Sequence, residues 1–150
     1  MAGLINQLLT TLEQQAQNYE DLAAIAREKH QVLVLGDITS LQKITDVESM
    51  LVGHNQQLEK SRIAITRDIA TVLAQNEGLT LERLAELMAN QPEHPSLVAV
   101  AARLRIALTL LKQANDINRP LISFALDYAH ISISLVRDAS IHPYNPTYNA

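Results

Sequence analysis

No proline occurs before residue 92, so nothing in the first 91 residues forces a helix to break. Within that span Ile5, Leu12, Tyr19, Ala26 and Leu33 recur every seventh residue, and Ile44, Leu51, Leu58, Ile65 and Val72 do the same. A seven-residue apolar repeat keeps one stripe on one side of a slightly supercoiled helix. Two such stripes separated by Gly36-Asp37 predict a hairpin of long helices, because glycine readily takes the left-handed conformation that closes a helix. The spacing places the first helix at about 3–35 and the second at about 38–77, with Asn76-Glu77-Gly78 as its stop. Glu48, Asn55 and Arg62 form a polar file beside the second stripe. It is either a solvent edge or a half-buried file that fixes the register between helices.

The remainder of the chain continues the pattern. Thr80 caps a short connector helix with Leu81, Leu84, Ala85 and Met88 on one face, to about Ala89. Asn90 to Pro95 is a loop, with Pro95 suited to the first turn of the next helix. A third long helix starts near Leu97 and carries its apolar phase through Pro120, which predicts a kink near 116–120 and not an end. The expected fold class is all-α: an elongated antiparallel bundle of three long helices plus a short connector helix. Residues 1–140 form the helical domain, and 141–150, with two prolines and two asparagines, form a flexible tail.

Composition narrows the function classes. A hydrophobic content of 47% with only 3% aromatic residues leaves aliphatic side chains and alanine to build the core. The lack of cysteine excludes a disulfide scaffold, a zinc finger and a thiol nucleophile. A net charge of −4 argues against nucleic acid as a partner. The start MAGLINQLLT lacks the basic region of a signal peptide, and no run of about twenty uninterrupted apolar residues occurs, so the expectation is a cytoplasmic protein without membrane insertion. Asp127 and His130 have the spacing of half a di-iron carboxylate site, but no second pair exists, so no metal is expected. No phosphate loop, nucleophile elbow or catalytic triad is present in the sequence, so neither a cofactor nor an enzyme is expected.

Leu121 to Val136 is the unusual segment. Leu121, Ile122, Phe124, Leu126, Tyr128, Ile131, Leu135 and Val136 leave no polar face wider than Ser123, Asp127, His130 and Ser134. A surface helix of a small monomer carries a wider charged face. The segment is therefore covered by its own bundle, by a second copy in a homodimer, or by a partner. Ile131 to Leu135 also alternates with period two, but no second strand exists to pair with it, so helix is retained.

The run Ala114-Asn115-Asp116-Ile117-Asn118-Arg119-Pro120-Leu121-Ile122 resembles the Asn-x-x-Asn-x-x-Leu-Ile signature in the last helix of FlgN-type flagellar export chaperones. Pro146-Thr147-Tyr148-Asn149-Ala150 is similar to the start of that family's C-terminal Thr-x-Tyr-Gly-x-x-Gly element, with Thr directly before Tyr and Asn in place of the first Gly. The resemblance implies a small cytoplasmic helical chaperone, not an enzyme. Its implied partners are the C-terminal helical segments of hook-associated proteins, which it holds soluble and passes to the flagellar export apparatus. Carried onto this sequence, Asn115, Asn118 and the apolar residues from Leu121 to Val136 become the partner contacts, and Tyr148 becomes the contact to the export gate.

Overall fold

The computed structural model describes the backbone of residues 1–76 and 78–140, and the side chains of that span up to Ser123. The chain is all-helical over these residues: α1 (Ala2–Leu35), α2 (Ile38–Val72), α3 (Leu81–Leu87) and α4 (His94–Ser140). The tail expected at 141–150 lies outside the described residues.

The α1–α2 turn is built as the sequence demands. Gly36 has φ 69°, and the amides of Gly36 and Asp37 return to the carbonyls of Leu33 and Val32. This double closure is a Schellman motif. Asp37 then caps α2 by accepting from the Ser40 amide at 3.1 Å. Hydrogen bonds from the Ser40 hydroxyl and amide hold the Asp37 carboxyl below its usual range.

α2 ends at Val72, five residues before the expected stop. Ala74 takes φ 55°, its amide bonds the Thr71 carbonyl, and the Gln75 amide bonds the Ala70 carbonyl. It is the same closing motif, made here by an alanine. A left-handed residue with a Cβ costs about 1–2 kcal/mol, so an alanine gives no sequence signal for such a turn. α3 is capped by Thr80, whose hydroxyl accepts from the Arg83 amide at 3.1 Å. α4 begins three residues before Leu97, with Pro95 in its first turn, and runs through Pro120 without ending. The stretch Ile131 to Leu135 is helix.

α1 is the shared helix. It packs along both α2 and α4, whereas α2 and α4 barely approach one another. The contacts of Glu20 with Arg103 and of Ala26 with Asn118 advance together along both chains, so α4 runs in the direction of α1. The apolar core lies toward one end of this assembly. Its buried members are Ile5, Leu8, Leu9, Leu12 and Ala16 of α1, Ile69 of α2, Leu84 and Met88, and Leu97, Val100 and Leu104 of α4. Among the described residues, no buried apolar side chain lies beyond Ala26 in α1, before Leu58 in α2, or beyond Ala107 in α4. The other end, toward the hairpin turn, is held differently. Val34, Leu35 and Ile38 at the turn are exposed.

Polar pairs fasten α1 to α2 from the middle of the hairpin toward the turn. Lys29 bonds Glu48 at 3.1 Å, Asn55 donates to the Tyr19 hydroxyl at 3.1 Å, and Asn18 donates to the Leu51 carbonyl at 2.9 Å. Gln15, buried, donates to Glu59 at 2.8 Å. The file of Glu48 and Asn55 is thus the half-buried register device and not a solvent edge. Arg62 acts one step removed, through Glu59. Its hydrogen bonds hold the Glu59 carboxyl below the usual range, and partial burial opposes this. Specific polar contacts of this kind fix which residues face each other without adding much net stability.

Candidate partner-binding helix

α4 carries every expected contact except Tyr148. With 47 residues against 34 in α1, it outruns its packing partner by 13 residues, about 20 Å at 1.5 Å per residue. From the Asn118–Ala26 contact, α1 has nine residues left before its end at Leu35 and α4 has 22 before Ser140. The far end of α4 therefore has no equal length of α1 to pack along.

The structure separates the two signature asparagines. Asn115 is exposed. Asn118 is 1% exposed, and its Nδ2 donates to the Ala26 carbonyl of α1 at 2.6 Å. This corrects the expectation for Asn118. It is turned into the α1–α4 seam and is not a free surface contact. Its Oδ1 is buried without a partner, as is Nδ1 of His30 nearby. Both residues border a cleft of about 290 Å³ with Ala26, Arg27, Gln31, Ala114 and Ile117. Leu121 and Ile122 are half-buried. Phe124, Leu126, Tyr128, Ile131, Leu135 and Val136 lie on the α4 backbone, with their side chains outside the described residues, and Tyr148 lies outside the described residues altogether.

A second fastener between α1 and α4 was invisible in the sequence. Arg103 donates through Nε to Glu20 at 3.1 Å and through a terminal nitrogen to Gln17 at 3.1 Å. The Arg103 hydrogen bonds, aided by its charge, hold the Glu20 carboxyl below the usual range. Glu20 in turn raises the Arg103 value. A separation of 83 residues gives no local signal for such a pair.

The segment His94–Ser123 is long and apolar enough to cross a membrane by length and composition. Leu97, Val100, Leu104 and Ala107 along it are buried in the bundle, and Arg103 and Arg105 interrupt it. Among the described residues, no group of three or more His, Asp or Glu could hold a metal ion.

Together these features define a class: a small helical protein built around one over-long, apolar-tipped helix. Comparison with protein families gives the particular member of that class. The family model described as FlgN protein matches residues 1–150, the whole chain, and the chain belongs to that family. The family is one of flagellar export chaperones, which bind flagellar export substrates. Comparison with curated proteins returns no match, and neither does comparison with solved structures.

Proposed function

We propose that this chain is a cytoplasmic, non-enzymatic chaperone for the C-terminal helical segments of hook-associated proteins. It keeps those segments soluble and delivers them to the export apparatus, as an elongated bundle of three long helices and a connector. The observation that carries the reading is the length of α4. Thirteen residues of it exceed the length of α1, and the segment Leu121 to Val136 toward that end carries only a narrow polar side. Family membership supplies the class of partner. A partner helix laid against Leu121, Ile122, Phe124, Leu126, Tyr128, Ile131, Leu135 and Val136 removes apolar surface from water at about 25 cal/mol per Å². Only part of that becomes affinity, because association and ordering oppose it. Anchors at i, i+3, i+4 and i+7 match the helix-in-groove mode. Tyr148 is the contact to the export gate.

The test is the pair of variants Ile131→Asp and Leu135→Asp, assayed for binding the C-terminal segment of a hook-associated protein from the same genome. Loss of binding with unchanged helical content and melting temperature is the expected result. Unfolding of both variants makes the segment core. A dimer by light scattering that these variants dissolve makes it a self-association surface. Unchanged binding places the partner elsewhere.

A further inference from the structure

We propose that the groove between α2 and α4 is a second seat for the export substrate, and that it takes an amphipathic helix whose edge carries carboxylates. The proposal rests on the chaperone reading above and names the chemistry of the partner.

Three observations converge on this groove. First, α2 and α4 each pack on α1 and scarcely on each other, so their facing edges are not buried against one another. Second, its banks are apolar and exposed. Val52 and Ile63, eleven residues or three turns apart on α2, are 43% and 45% exposed, and Leu108 on α4 is 45% exposed. Tyr19 of α1, half-buried, lies on the floor and is tied to Asn55. The helical phase puts Leu108 on the bank that faces α2. Arg103, on the opposite edge of α4, reaches Gln17 and Glu20, the edge of α1 turned away from α2.

Third, the α4 bank is rimmed by cations. Arg105, Lys112 and Arg119 recur every seven residues, directly beside the line of Ala101, Leu108, Asn115 and Ile122. Asp116 is bonded by both Lys112 and Arg119, and Arg105 has no carboxylate partner among the described residues. A net-acidic chain of charge −4 thus concentrates three cations on one edge of one groove. Coiled-coil partners are selected by such flanking charges, with the apolar stripe supplying contact and the flanks supplying choice. The matching partner is a helix with apolar residues at heptad spacing and Asp or Glu on the adjoining edge. Seated there, it adds a fourth helix beside α1, α2 and α4.

The test uses the full chain and, as probe, the C-terminal segment of a hook-associated protein from the same genome. Binding is measured at low and high salt for the wild type, for the triple variant Arg105→Glu, Lys112→Glu and Arg119→Glu, for Leu108→Asp, and for Ile131→Asp. Arg105, Leu108, Lys112 and Arg119 are exposed, so the melting temperatures of the triple variant and of Leu108→Asp are expected to stay near that of the wild type. The triple variant is expected to bind about tenfold or more weakly at low salt, since three exposed ion pairs each change binding by a few fold. That difference shrinks at high salt, where exposed charges are screened. Leu108→Asp is expected to weaken binding at either salt concentration. A wild type that does not bind overturns both this proposal and the chaperone reading. Loss of binding in Ile131→Asp alone, with the triple variant and Leu108→Asp unchanged, overturns the groove and leaves the chaperone reading standing. Vesicles of phosphatidylglycerol provide the contrasting arm. If the triple variant loses vesicle binding but keeps the segment, the cations serve a membrane surface and the proposal is wrong.

Discussion

Asn118→Leu is expected to stabilise the protein, although it removes a buried hydrogen bond. The bond in question runs from Nδ2 to the Ala26 carbonyl at 2.6 Å. That carbonyl is in mid-helix and already accepts the amide four residues on, so losing the second donor leaves no orphan on α1. The bond itself contributes about 0.5–1.5 kcal/mol net. Against it stands Oδ1, buried with no partner, which costs about 1–3 kcal/mol. Leucine is the larger side chain, and overpacking a tight core costs about 1–3 kcal/mol. Here the added volume can enter the adjoining cleft of about 290 Å³, between Ala26 and Ile117. The balance favours leucine by on the order of 1 kcal/mol, or about 2–4 °C in melting temperature for a chain of this size. Thermal unfolding followed by circular dichroism at 222 nm measures it. A fall of more than about 3 °C, near 1 kcal/mol, refutes the reasoning, because Oδ1 must then be satisfied in solution. The variant has a further consequence: without the amide, nothing polar fixes α4 against Ala26, so register should loosen even as stability rises.

Three other substitutions and a pH series probe the same geometry. Ala74→Gly removes the left-handed strain at φ 55° and should stabilise by about 1 kcal/mol, read as a rise in the urea midpoint; a lowered midpoint would mean that the turn is not formed. Glu20 and Glu59 have folded-state values below the ordinary 4.5, so their contribution is whole above that value and is lost as pH falls through the lower folded value. Melting temperature should therefore drop below about pH 4.5, and less steeply in Glu20→Gln; both carboxylates are substantially exposed, which keeps the slope small. Pro120→Ala restores an amide donor to the Asp116 carbonyl, and amide exchange around 116–124 should slow. Segment affinity should change severalfold if the proline is a joint, and unchanged affinity removes that role.

The contrast between the two turns that close α1 and α2 shows what the sequence discloses. Gly36 announces its turn because a positive φ favours glycine, and the structure puts it at 69°. Ala74 makes the same turn with no such residue, so the apolar phase through Val72 invites a helix running five residues too far. Heptad spacing locates the long helices because burial follows a period that the chain displays directly. It cannot show that the core stops at Ala26 and Ala107, since Leu33 and Leu111 have the same residue type and phase as the buried leucines before them. Their partial exposure is a property of the packed bundle and leaves no mark in one dimension. Asn118 is legible as special through its signature but not as buried, because an amide in a motif looks the same whether it faces a partner or the neighbouring helix. Arg103 and Glu20 carry no pattern at all in one dimension.

Hydrogen exchange of the free chain and of its complex with a hook-associated C-terminal segment tests the α4 site most directly. The apolar end of α4 is the claimed seat, so amides from 121 to 136 should exchange readily in the free chain and slow at least about tenfold in the complex, a difference of about 1.4 kcal/mol in opening. Amides of Ile5 to Ala16, in the apolar core, should barely change. Protection that leaves 121–136 unaffected and falls elsewhere would contradict the assignment of the partner site to α4.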